Sequence, residues 1–305
     1  MKSADEHNKF ISLLNKTNSI IDDENYNELD TKGFTILNTD EIFWEKNKLD
    51  FNLIEKEFDY LCSSEGLEGG WENKKKAGVN WEPSAQRVSN LPNKNRIFLK
   101  LAMLSDILLG VNYVIKKPFK FSSMQIRNPV PFGDRQSLHI DFRPRQFKYF
   151  NYNQCSAFIY LDNADKDNGA LNIYPGTHKI LGEPSQNFID SNHLEPAVVN
   201  VKKFNIVLLN IYTWHFGGKN FNGKKRRTIF INFRERSELQ QLDQKRFLSQ
   251  EVINQMSDNE KYLFAVRNED PKQSIFETEN RNNFLIKKYM KIKDIFYHKY
   301  LQYMK

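Results

Sequence analysis

Apolar residues change their spacing twice along this chain of 305 residues. Between residues 5 and 30, Phe10, Leu13, Leu14, Ile20 and Ile21 mark an apolar stripe in a polar stretch, which predicts helix. "KGFTIL" (32–37) predicts a short strand after its glycine. From Asp40, a residue suited to cap a helix, Phe51, Ile54, Phe58, Leu61 and Cys62 recur at helical spacing. An irregular Gly- and Lys-rich stretch with two Trp follows, and 94–109 predicts helix again. From about residue 121 the period shortens. "FSSMQIRN", "SLHIDF", "CSAFIYL", "GALNIYP", "FNIVLLN", "YTWHF" and "RRTIFINFRE" are short aromatic or β-branched runs. Turn signals at Asn168-Gly169, Pro175-Gly176 and Asn222-Gly223 separate them, as in a sandwich or barrel. After Arg236 the pattern is helical to the end. The expected organisation is a helical extension over 1–32, a β-rich domain over 33–236 and a C-terminal helical extension over 237–305 packed on the core.

Composition narrows the class. With 24 Phe, 13 Tyr and 4 Trp, the chain can fill a sizeable core. Only Cys62 and Cys155 are present, so no disulfide framework is implied and a reducing compartment suits it. The first thirty residues hold no apolar leader, and the longest aliphatic run, Ile206 to Leu209, is far too short to span a bilayer. The expectation is a cytoplasmic protein with no transmembrane segment. The net charge is +7, but the last 25 residues carry seven Lys and Arg against Asp294 alone. The basic balance therefore describes a tail and gives no reason to expect a nucleic-acid partner.

The candidate chemistry centres on "SLHIDF". In a strand, His139 and Asp141 project from the same face. His215, immediately after a hydrophobic run, would complete a two-histidine, one-carboxylate set, which leaves adjacent positions open on an octahedral iron. On spacing alone this competes with a plainer reading, a surface pair plus a strand-end histidine bonded to backbone. Downstream, Arg226, Thr228, Phe230 and Asn232 share one strand face by alternation. A guanidinium there could grip a dicarboxylate through paired hydrogen bonds. Lys224 and Lys225 equally allow a solvated basic turn.

"LHIDF", "DNGALNIYPGTHK" and "WHFGGKNFNGKKRRTIFINF", in this order and spacing, resemble the phytanoyl-CoA dioxygenase family, and "GFTIL" resembles its opening strand. The resemblance covers roughly residues 33 to 236. It implies a double-stranded β-helix (jelly-roll, cupin-like) core and a non-haem Fe(II)/2-oxoglutarate-dependent oxygenase. Such an enzyme uses O2 to hydroxylate a C–H bond of a small metabolite, releasing succinate and CO2, with ascorbate as an assay reductant; arginines near the mouth would suit an anionic substrate. Carried over residue by residue, His139, Asp141 and His215 are the implied iron ligands and Arg226 the implied 2-oxoglutarate anchor. Arg227 is the alternative, because a one-residue slip reverses the face. Related halogenases lack the carboxylate, so Asp141 argues for oxygenation. Many family members carry a serine two residues beyond the distal histidine. Gly217 stands there in this chain, which moves a helper contact to other residues, with Thr228 and Gln125 as candidates.

Substrate recognition is assigned to Arg127, Arg143 and Trp81, near Arg87 and Arg145, with the 66–82 stretch as a candidate lid. Ordinary solvated arginines are an equal alternative. In the tail, Leu285, Tyr289, Ile292, Phe296, Tyr300 and Tyr303 give one apolar helical face, expected to pack on the core or a twin subunit as a homodimer. Two other classes stay in view: a jelly-roll metal- or ligand-binding protein without oxygenase activity, and an interaction protein acting through its basic C-terminal helix.

Overall fold

The computed structural model describes residues 2–65, 85–141, 152–268 and 270. The chain divides into a unit spanning residues 1–266 and a second spanning 267–305, of which only 267, 268 and 270 are described.

The N-terminal stripe folds as two helices, α1 (Lys2–Leu14) and α2 (Asp23–Thr31). The sequence alone suggested one continuous helical pattern. The chain breaks because buried Asp106 accepts hydrogen bonds from the Ser19 hydroxyl at 2.5 Å and the Ile20 N–H at 2.7 Å. Asp22 then restarts the helix through a reciprocal capping box with Asn25. Strand β1 (Phe34–Leu37) and helix α3 (Glu41–Lys46) follow, and Asp40 caps α3 as its sequence position suggests. Helix α4 (Phe51–Glu65) buries Phe51, Ile54, Phe58, Leu61 and Cys62, the residues read as its apolar face. After β2 (Ala85–Ser89), the helix predicted over 94–109 appears as α5 (Arg96–Ala102) and α6 (Ser105–Ile115), bent by 47°. Among the described residues no single helix is long and apolar enough to cross a membrane.

Seven strands and four short helices complete the first unit. They are β3 (Phe119–Pro129), β4 (Gln154–Tyr160), β5 (Leu171–Ile173), α7 (Gln186–Ser191), β6 (Ala197–Val198), β7 (Ile206–Asn210), β8 (His215–Gly217), β9 (Thr228–Glu235), α8 (Gln244–Phe247), α9 (Gln250–Gln255) and α10 (Asp258–Phe264). Of the strand expected over 137–142, the described residues 137–141 show a single bridge, between His139 and His215. The sequence reading passed over β2 and β6.

Two antiparallel sheets result. The larger has the order β1-β7-β4-β9-β3-β2 and the smaller β6-β5-β8, with residues 136–139 alongside β8. Alternation divides the larger sheet's faces. Met124, Ile126, Ala157, Ile159, Leu208, Ile229 and Ile231 join the buried cluster that includes Ile54, Phe58, Leu101, Leu108 and Val111 from the helices. Tyr160, Val207 and Leu209 turn the other way and pack with Leu171 and Ile173 of the smaller sheet and with Val199 just beyond β6. Each fully buried aliphatic or aromatic side chain contributes roughly 1.5–3 kcal/mol of transfer free energy. Burial on both faces therefore pins the register, since a one-residue slip would exchange the faces of a whole strand. This is the expected mainly β, jelly-roll core with flanking helices.

Polar residues enter this two-sheet core at one end. In β3 the ladder to β9 shifts at Ser122, a bulge. Ser122 accepts the Gln241 N–H at 2.8 Å through its hydroxyl and the Leu242 N–H at 3.2 Å through its carbonyl. The segment after β9 is thereby stitched to the rim of the core.

Candidate metal centre and its cavity

His139 and His215 face each other as a hydrogen-bonded antiparallel pair. Each backbone N–H donates to the other's carbonyl at 3.0 Å, and the ring centroids lie 4.5 Å apart. Asp141, two residues on, is held by its own N–H donating to the Ile211 carbonyl at 3.3 Å. Its two carboxylate oxygens lie 3.5 Å from His139 Nε2 and 3.6 Å from His215 Nε2. One ligand atom from each residue falls within 4.8 Å of the others, and among the described residues this is the single such cluster.

Both imidazoles have their tautomer fixed by backbone. His139 Nδ1 donates to the Ser137 carbonyl at 2.8 Å, and His215 Nδ1 donates to the Thr213 carbonyl at 2.7 Å. A carbonyl only accepts, so the proton sits on Nδ1 and the Nε2 lone pair points at the neighbouring ligand atoms. Burial lowers the His139 pKa, and His215 and Arg127 add to the effect against the pull of Asp141 and Ser137, so the imidazole stays neutral. For Asp141, burial works upward. Its neighbours His215, His139 and Arg127 act the other way and hold the carboxyl below its ordinary range. Unprotonated Nε2 atoms and an ionised carboxylate are what a divalent metal requires of such a set. Metal–ligand bonds of about 2.0–2.2 Å set neighbouring donors roughly 3 Å apart, close to the spacing seen here.

The "YPGTH" motif positions this centre without joining it. Gly176 adopts φ +79°, and the Thr177 hydroxyl donates to the Tyr174 carbonyl at 2.6 Å and accepts the Trp214 N–H at 2.8 Å, one residue before His215. His178 is 1% exposed, and its Nε2 is hydrogen-bonded to the Asp30 carbonyl at 3.2 Å.

The three residues open onto a cavity of about 130 Å³. Gln125, Arg127 and Arg87 line it. Arg87 and Arg127 are direct cross-strand partners on β2 and β3. Phe158, Leu171 and Phe230 supply the apolar wall. Gln136, Gln154, Asn232 and Gln241 also line the cavity. Asn232 lies on the strand face already singled out. The others were missed, because nothing in a single sequence ties Gln241 back to the Ser122 bulge or Gln136 to Gly217. Asn232 anchors a buried polar floor: its Oδ1 accepts from the Ser156 hydroxyl at 2.6 Å, and its Nδ2 donates to Ser123 at 3.0 Å and Gln241 at 3.3 Å.

The two arginines before β9 part ways. Arg227 turns toward α4, donating to Asp162 at 2.8 and 3.0 Å, Glu55 at 2.7 Å and Asp59 at 3.1 Å. Arg226, 6% exposed, lies by Tyr160. Burial raises that phenol's pKa, while the charges of Arg226 and Arg127 pull it back. Thr228 is buried opposite Arg127 and Tyr160, and neither it nor Arg226 is among the residues that line the cavity. Trp81, Arg143, Arg145, the 66–82 stretch and the basic tail from 271 lie outside the described residues.

A search of curated proteins returns no match. Among solved structures, EctD from S. alaskensis with bound Fe is 14% identical with a TM-score of 0.58, over 74% of this chain and 80% of that one. HygX from Streptomyces hygroscopicus, with nickel and 2-oxoglutarate bound, is 16% identical with a TM-score of 0.55, over 72% and 89%. The non-heme alpha ketoglutarate dependent epimerase SnoN from nogalamycin biosynthesis is 13% identical with a TM-score of 0.53, over 70% and 82%. At these identities the likeness is one of fold. The sequence model of the phytanoyl-CoA dioxygenase family matches residues 53–228, more than half of the chain. That span includes "LHIDF", "DNGALNIYPGTHK" and the start of the third motif, and the chain belongs to the phytanoyl-CoA dioxygenase family.

Proposed function

We propose that the chain is an Fe(II)/2-oxoglutarate-dependent oxygenase that hydroxylates a C–H bond of a small anionic metabolite. The observation that carries this reading is the convergence of His139 Nε2, His215 Nε2 and the Asp141 carboxylate on one point, with both Nδ1 protons tied to backbone. Those three residues would hold the iron, and Arg226 the distal carboxylate of 2-oxoglutarate. Family membership and neighbours solved with iron, nickel and 2-oxoglutarate support the cofactor pair. When bound, iron and 2-oxoglutarate supply the oxidising chemistry: one O2 is consumed, 2-oxoglutarate becomes succinate and CO2, and the substrate gains one oxygen atom.

The chain's own groups do the rest. Nδ1–H to carbonyl bonds stop the imidazoles from turning. Phe158, Leu171 and Phe230 exclude water from one side of the cavity. Arg87 and Arg127 give that cavity a positive potential, and Asp141 is the sole carboxylate among its described lining residues, which supports an anionic substrate.

The test is succinate release by the chain with Fe(II), 2-oxoglutarate, O2 and ascorbate, screened against small carboxylates, phosphates and uncharged analogues of matched size. Anionic members should stimulate release, with product one oxygen heavier than substrate. Product of unchanged mass would replace hydroxylation with another outcome, epimerisation being the one met in SnoN. Absence of 2-oxoglutarate turnover under every condition would leave a binding protein.

A further inference from the structure

Gly217 lies two residues beyond His215 in β8, so a side chain there would project on the same face as the His215 imidazole. The backbone at 217 would accept one, because its φ lies outside the left-handed region. The space, however, is taken: an ideal Cβ at 217 would stand 2.7 Å from Gln136 Oε1. Gln136 is tied to this glycine at both ends. Its backbone N–H donates to the Gly217 carbonyl at 2.9 Å, and its Oε1 accepts the Gly217 N–H at 2.9 Å.

That second bond fixes the amide's orientation. An N–H must meet the oxygen, so the other end of the carboxamide is Nε2, with two N–H donors. The Gln136 side chain lines the cavity together with His139, Asp141 and His215. It thus brings oriented donors to the one spot beside His215 that side-chain absence at 217 leaves open. A ligand chelated at the metal has its anionic oxygens within this neighbourhood, where a hydrogen bond to a charged acceptor is worth more than one to a neutral group.

We propose that Gln136 is a binding residue for 2-oxoglutarate, its amide Nε2 donating to a carboxylate of the cosubstrate in place of a side chain at 217. The inference rests on the iron and 2-oxoglutarate reading above. It adds an oriented donor beside Gln125, which lines the same cavity.

The experiment is anaerobic calorimetric titration of 2-oxoglutarate into the full chain loaded with Fe(II), with the iron affinity measured in parallel. Gln136→Ala should raise the 2-oxoglutarate Kd about tenfold, as loss of one hydrogen bond to a charged acceptor does, with iron affinity unchanged and a lowered melting temperature, because the buried Gly217 N–H loses its acceptor. Adding Gly217→Ser to Gln136→Ala places a hydroxyl in the vacated space and should restore much of the affinity. A Kd within twofold of wild type in Gln136→Ala overturns the proposal. So does a loss matched by an equal loss of iron affinity, which would make Gln136 a support for His215 only. A wild-type chain that binds iron but no 2-oxoglutarate defeats the cofactor reading itself, and the inference falls with it.

Discussion

Replacing Arg227 with Ala should destabilise the fold while leaving the candidate metal centre intact. The guanidinium ties three elements together: Asp162 beyond β4, Glu55 and Asp59 on α4, and its own strand entry, where the Arg227 N–H also donates to Asp162 at 2.8 Å. Removing one partner of a fully buried ion pair costs about 3–5 kcal/mol, because a charge is left desolvated and unpaired. Here the cost is smaller. Glu55 and Asp162 side chains are 17% and 21% exposed, and Glu55 keeps Lys203 at 2.7 Å. Asp59 is 49% exposed and adds little. A loss of about 2–3 kcal/mol is expected, or roughly 5–10 °C in melting temperature for a unit of this size. Arg227→Lys should recover only part, since an ammonium cannot span the carboxylates as a planar fork does.

The pH dependence follows from Asp162. Burial acts upward on its carboxyl, but the hydrogen bonds and charge of Arg227 hold it below the ordinary value. Its contribution is therefore complete above the usual carboxylate range and disappears as pH falls through the depressed folded-state value. The gap between wild type and Arg227→Ala should be full at neutral pH and close in strong acid. Scanning calorimetry at several pH values reads both effects. Melting within 1–2 °C of wild type at neutral pH would refute the clamp. A raised 2-oxoglutarate Kd in Arg227→Ala would instead show that the anchor had been assigned to the wrong arginine.

Arg226→Ala should do the converse, raising the 2-oxoglutarate Kd by roughly tenfold or more at unchanged iron affinity, checked by calorimetric titration. Thr177→Val removes the acceptor of the buried Trp214 N–H and should cost about 1–3 kcal/mol in urea unfolding. His7, 4% exposed and hydrogen-bonded to Tyr262 and Asn112, has its pKa lowered by burial. Unfolding then takes up a proton, so stability falls as pH drops below the ordinary histidine value. Melting temperature should decline more steeply from about pH 6.5 to 5 in wild type than in His7→Asn; parallel curves would discard this role.

How far the sequence could be read depended on range. The α4 stripe, the Asp40 cap and the β1 strand are local patterns, and they appear where their spacing put them. The break between α1 and α2 was not legible, because its cause, Asp106, lies more than eighty residues away. His139, Asp141 and His215 could be proposed together from motif order, yet the bridge that joins the histidines is long-range. Arg226 and Arg227 could not be separated by alternation, since either face was open; the carboxylates that engage Arg227 come from α4 and the 162 loop. Gln241 and Gln136 lay beyond reach for the same reason. One depends on a bulge in β3 and the other on a glycine across a strand pair.

The account stands most directly on anaerobic Fe(II) titration of the wild-type chain beside His215→Ala. Wild type should take up a single ferrous ion per chain, and His215→Ala should bind it at least about 100-fold more weakly, since even changes outside the ligand set cost roughly 10–100-fold. Equal affinity in the two proteins would contradict the assignment of His139, Asp141 and His215 as the metal centre.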